Sequence, residues 1–189
     1  SPLVLREDAD GLATLTLHRP EKLNALTVAL FAELRAHVLQ LAQDTDRIGL
    51  VVLRGAGKCF SAGHDLADIA HGEHPPQPHF QADTIELLAN LPQPVVTAVH
   101  GHCYTGALEL ALAGDLLVCG AGAYLPVGEV QIGMAAPKNI AWLALRHGEA
   151  TAARLCLLGD RLDAQALLRE RIATEVVEDD QVVARAYAM

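Results

Sequence analysis

Three short apolar runs restrict this chain more than any other feature: "IGLVVLRG" (48–55), "PVVTAVHG" (94–101) and "DLLVCG" (115–120). The first two are rich in β-branched residues, and all three lack polar alternation and close on a glycine. A strand without a polar face has no side to give to water, so it must be covered on both faces, as strands in parallel sheets are. Helical sequence follows the runs, and strand, turn and helix in repetition are the pattern of an α/β domain. A fourth segment, "LATLTLHRP" (12–20), alternates apolar and polar residues and ends at a proline, as a half-buried strand does. Thr27 is placed to cap a helix over 28–43, in which Val28, Phe31, Leu34, Val38 and Leu41 share one face.

The 189 residues fit a single domain, 1–189, with length enough for a substantial core. Hydrophobic residues make up 51% of the chain, yet no apolar run reaches the 18 or so residues of a membrane span, so a soluble protein with no membrane partner is expected. "SPLVLREDAD" lacks the basic and then apolar regions of a secretory signal. The four cysteines, Cys59, Cys103, Cys119 and Cys156, form no CxxC pair, which suits packing roles in a reducing compartment and a cytoplasmic location. A net charge of −9 excludes a general nucleic-acid surface and leaves room for a small anionic ligand at local basic residues. "ADIAHGEHPPQPHFQAD" (67–83) reads as a polar surface loop; its His71, His74 and His79 match no standard ligand spacing, and no metal is expected.

One helix carries a chemical anomaly. "TGALELALAGD" (105–115) is apolar almost all the way round but holds Glu109 in its middle. Burying a carboxylate costs several kcal/mol unless it is paired or keeps its proton, so Glu109 faces either an ion partner or a cavity. Gly106 opens this helix, where its amide has no intrahelical partner and the helix dipole favours negative charge. Glu109, three residues on, projects from nearly the same face. Two other segments can join it. "CFSAGHDL" (59–66) follows a strand and has small residues that let the His64 amide approach a ligand. "YLPVGEVQIG" (124–133) sets Glu129 among apolar residues, either as a solvated loop glutamate or as a second pocket carboxyl. Two carboxyls in one pocket can have their pKa values pushed apart into an acid and a base. "HGHC" offers a Cys103 nucleophile with His100 or His102, but neighbours in sequence do not supply catalytic geometry.

These segments, in this order, resemble the enoyl-CoA hydratase/isomerase, or crotonase, family. The resemblance starts at "LHRPEKLNALT", runs through "CFSAGHDL" and "PVVTAVHG", and extends to "LCLLGDRLDAQAL", covering nearly the whole chain. It implies a spiral of repeated ββα units, with the C-terminal helical segment short or absent. It implies an oxyanion hole made by the amides of His64 and Gly106 for a thioester carbonyl. Arg19, Lys22, Leu23, Ala62, Asp65 and Leu66 would meet the CoA portion of the substrate, and no cofactor is needed beyond that CoA. Glu109 would activate water and Glu129 would protonate C2, in a syn hydration of a trans-2-enoyl-CoA within a homotrimer or hexamer. The alternatives are an enoyl-CoA isomerase, another enolate-forming member, or a non-catalytic acyl-CoA-binding scaffold. Three departures stand out: Thr105 and Ala107 where glycines are usual, "MAAPKNIAWL" in place of a proline and glycines after Gly133, and "RERIATEVV" without its usual glycine. Since the resemblance asks only for the amide of residue 106, a proline there is expected to fold and to remove the donor.

Overall fold

The computed structural model describes residues 1–71 and 79–189. At its centre lies a sheet of six strands whose spatial order follows the chain: β1 (Val4–Ala9), β2 (Leu12–Leu17), β3 (Leu50–Gly55), β4 (Val95–Val99), β5 (Leu116–Gly120) and β6 (Glu175–Val177). β1 and β2 form an antiparallel hairpin, and every later junction is parallel. The three apolar runs are thus the parallel centre of the sheet, where both faces are covered. β1 escapes a reading from pattern because it is an edge strand, buried only at Val4 and charged through Arg6, Glu7 and Asp8.

Eight α-helices flank the sheet among the described residues: α1 (Val28–Leu41), α2 (Leu66–His71), α3 (Phe80–Ala89), α4 (Gly106–Leu112), α5 (Pro137–His147), α6 (Glu149–Leu158), α7 (Ala164–Arg169) and α8 (Val182–Tyr187). α1 begins at the expected cap, with Thr27 Oγ1 accepting from the Leu30 amide at 3.1 Å, and ends two residues before the expected boundary. Its Leu30, Phe31, Leu34, Val38 and Leu41 are buried in the main core with Leu15, Leu53 and Leu110. None of the described helices is long and apolar enough to cross a membrane.

The opposite face of the sheet is covered by α8, whose Val182 and Ala186 pack on Val52, Val96, Ala98 and Val118. This corrects the half-buried reading of β2. Its Thr14 and Thr16 are buried too, and the Thr14 hydroxyl donates to the Tyr187 hydroxyl at 3.1 Å. The polar residues that suggested a wet face are covered by a helix 173 residues away in sequence. The segment 67–83 also differs from a simple loop, because α2 and the start of α3 lie within it.

Beyond the strands, single parallel bridges join Leu26 to His64, Ser61 to Cys103 and His102 to Tyr124. Each repeat therefore adds one long strand to the sheet and one short segment to a second layer, which produces the spiral of repeated units. The helices do not follow the strands directly. Between β4 and α4, for example, the chain makes its bridge at 102–103 first, and this excursion builds the site.

Candidate active site

In parallel sheets the carboxyl ends of the strands carry the loops that can converge on a ligand. Here the segments after β3, β4 and β5 meet there, and a buried asparagine holds the first of them. Asn24 is fully buried, and its side-chain Nδ2 lies 2.7, 2.9 and 3.1 Å from the carbonyls of Ala56, Cys59 and Phe60, while its Oδ1 accepts from the Arg19 amide. The Ser61 hydroxyl donates to the Asn24 carbonyl and accepts from the Gly63 amide, which fixes the turn that presents His64. Sequence reading passed over Asn24, although "RPEKLNAL" contains it. Asn24→Ala would leave buried carbonyls unpaired and should destabilise the fold by about 3 kcal/mol, read as an earlier urea midpoint.

The three segments enclose a cavity of about 820 Å³. Lys22, Ala62, His64, Asp65 and Leu66 line one side, and Gly106, Glu109 and Glu129 are also in its wall. Met134, Ala135 and Pro137, from the segment that departs from the family pattern, also line it. Among the described residues neither the His64 amide nor the Gly106 amide has a hydrogen-bond partner, although their neighbours Gly63, Asp65, Ala107 and Leu108 all do. Two free amides on the wall of one cavity can receive an oxygen that gains negative charge.

The backbone before Gly106 is strained. Thr105 has φ 46° and ψ −105°, a conformation that a β-branched residue rarely adopts. Thr105→Gly should relieve this strain, and after the entropy that glycine loses on folding a net gain of about 1 kcal/mol is expected in a urea melt. Gly106 itself has a second reason to lack a side chain: a Cβ there would run into the far edge of the His64 ring, at Nε2, and the ring would have to move. Proline at 106 is therefore not tolerated as the amide argument alone suggested. Its ring would meet His64, and Thr105 lies outside the extended region that a residue before proline prefers.

Glu109 is half-buried on the first turn of α4, and Glu129 is 7% exposed at the head of a 3₁₀ turn, Glu129–Ile132. Burial, and next the charge of Glu129, push the Glu109 carboxyl from the ordinary 4.5 up to about 7. The amides of Lys138 and Asn139 and the Lys138 ammonium pull it back in part. Burial also raises Glu129, against a hydrogen bond that Asn139 Nδ2 donates to its Oε1 at 3.0 Å. Burial holds the His64 imidazole below its usual pKa, so the ring is neutral near pH 7.

Two expected contacts stand apart from the cavity wall. Arg19 pairs with Asp65 at 2.6 Å and reaches the Ala25 carbonyl, so it braces a lining residue without lining the cavity itself. Leu23 is 41% exposed and is likewise not part of the lining. Cys103 is fully buried, with its thiol pushed well above its usual pKa, and cannot act as a thiolate nucleophile. His100 is engaged with the Gly57 carbonyl, and His102 is an exposed ring stacked on Tyr104. His74 and the side chain of His71 lie outside the described residues, while His79 is exposed just before α3.

Comparison with known proteins agrees with this geometry. The sequence model of the enoyl-CoA hydratase/isomerase family matches residues 7–189. A 1,2-epoxyphenylacetyl-CoA isomerase of Escherichia coli is 33% identical over 185 residues, which span 94% of this chain and 70% of that protein. A human mitochondrial Delta(3,5)-Delta(2,4)-dienoyl-CoA isomerase is 31% identical, covering 86% of this chain and 56% of its own. The chain thus spans roughly two thirds of the length of such relatives. The crystal structure of an enoyl-CoA hydratase from Mycobacterium tuberculosis superposes on all of this chain and 74% of its own, with a TM-score of 0.89 at 30% identity. Helices, bridges and cavity walls built from one sequence register, matched along nearly its full length, identify the chain as a member of the enoyl-CoA hydratase/isomerase family.

Proposed function

We propose that this protein hydrates a trans-2-enoyl-CoA thioester by syn addition of water. The observation that carries the reading is the pair of carboxyls with raised pKa values beside two unpartnered amides in one cavity. In this reading the thioester oxygen sits at the His64 and Gly106 amides, which hold the negative charge of the enolate formed as water oxygen bonds to C3. Glu109 takes a proton from the water, and Glu129 gives one to C2, so the pair ends with as many protons as it began. Burial and the charge of Glu129 raise Glu109 to about 7, so near neutral pH the two carboxyls can share one proton. Lys22, Ala62, Asp65 and Leu66 would meet the CoA arm, with Arg19 holding Asp65 in place.

An isomerase reading is supported by the two relatives that bear that name. It needs a single carboxyl to carry a proton between two carbons of the acyl chain, and leaves the second without a task. Crotonyl-CoA separates the two: a hydratase removes its enone absorbance, whereas an isomerase creates that absorbance from a 3-enoyl-CoA. Absence of hydration by the wild type overturns the hydratase reading. The proposal includes a trimer or a hexamer, since Leu145, Leu157 and Leu158 are all exposed on α5 and α6 and an interface would cover them. A monomer by sedimentation removes that part.

A further inference from the structure

Asn139 lies just behind the cavity wall, fully buried on the first turn of α5. Its Nδ2 donates to the Glu129 Oε1 at 3.0 Å and to the Thr105 carbonyl at 3.1 Å. A carbonyl can only accept, so the nitrogen and not the oxygen of the amide must face Thr105. Both N–H bonds of this one group are then used. The Thr105 carbonyl belongs to the same peptide unit as the Gly106 N–H, one of the two free amides of the cavity. We propose that Asn139 is the positioning residue of this site: its amide group ties the Thr105–Gly106 peptide to the Glu129 carboxyl and sets the orientation of both.

Three observations support the assignment. Thr105 is held in a strained conformation, and such strain persists only where surrounding contacts determine it; its carbonyl accepts from the Leu108 and Glu109 amides of the helix, and Asn139 adds a third donor, the side chain among them. A hydrogen bond accepted at the carbonyl polarises the peptide and makes its N–H a stronger donor to the thioester oxygen. Glu129 Oε2 is buried with no partner among the described residues, so Oε1 is the oxygen through which the protein fixes this carboxyl. The sequence feature is local: Lys138 and Asn139 stand in the segment that departs from the family pattern.

The consequence can be read separately from activity. The titratable groups near Glu129 are Glu109 on α4, Lys138 on α5, Cys156 on α6 and His64 across the cavity. Of the side chains around it, Asn139 is the one that donates a hydrogen bond to Glu129. Asn139→Leu keeps the branching and the number of side-chain heavy atoms, at a larger volume, and removes both donors. Asn139→Ser, small and favourable near a helix start, serves if the leucine variant does not fold. In protein labelled with ¹³C at glutamate carboxyls, with the Glu129 resonance assigned by its loss in E129Q, Glu129 should titrate at higher pH in either variant than in wild type. The Gly106 amide proton should shift as well. With crotonyl-CoA, kcat should fall about 10- to 100-fold with KM within about threefold, and the alkaline limb of the pH profile should move upward.

This inference rests on the hydratase reading for its kinetic arm alone. If the wild type does not hydrate crotonyl-CoA, that reading falls, and the titration and the Gly106 resonance judge Asn139 by themselves. A folded variant in which neither the Glu129 titration nor the Gly106 resonance moves overturns the assignment. So does a lowered melting temperature accompanied by unchanged kcat and an unchanged pH profile.

Discussion

Glu109→Gln and Glu129→Gln are each expected to lower kcat for hydration by about a hundred- to ten-thousand-fold, with KM for the enoyl-CoA changing far less. In the proposed hydration both carboxyls act on the water and the transferred proton, and neither holds the CoA arm. Steady-state assays with crotonyl-CoA test this, and near wild-type turnover in either variant would remove its assigned role. The same substitution at Glu109 should make the protein more stable. The folded state holds the Glu109 proton up to about pH 7, whereas an unfolded chain releases it near 4.5. Between those values the native state binds more protons, so stability falls as pH rises through the window. A glutamine has no charge to desolvate. The rise from 4.5 to about 7 sets an upper bound of roughly 3 kcal/mol on the gain, and contact of Glu109 with the cavity solvent makes the actual figure smaller. Urea unfolding should show Glu109→Gln ahead of wild type at pH 8, with the difference shrinking towards pH 4. Loss of activity with a gain in stability is the signature of a group kept for function against a folding cost.

Removing the Gly106 amide should cost about a hundred- to a thousand-fold in kcat, as removal of single donors does in other oxyanion holes. The way to remove it follows from the structure. Alanine adds a Cβ that collides with the edge of the His64 ring, and proline adds more, so either change disturbs the His64 side of the cavity as well. Incorporation of glycolate at 106 replaces the Thr105–Gly106 amide by an ester, which deletes the N–H and adds no atom. The ester protein should fold, retain affinity for acyl-CoA and lose most of its turnover. Its N–H was never part of the helix ladder, so the helix loses no bond with it. Full activity in the folded ester protein would place the oxygen-binding donors elsewhere.

Periodicity and apolarity along the chain determined the α/β class, the three central strands and α1 with its Thr27 cap, because each depends on neighbours within a few residues. They also exposed Glu109, since a carboxyl in a wholly apolar helix is anomalous before any partner is known. The resemblance carried by several motifs in register then located His64, Gly106 and Glu129. What the tertiary structure alone decided is whatever depends on distant segments meeting. The covered face of β2 is the work of α8, and the Asn24 side chain joins a loop near residue 20 to the turn after β3. The place of Arg19 behind Asp65, the His64 ring against Gly106, and the bond from Asn139 to both Thr105 and Glu129 are of the same kind. None of these has a period or a composition to betray it. A buried hydrogen bond is specified by two groups within about 3 Å, and only the path of the folded chain brings such groups together.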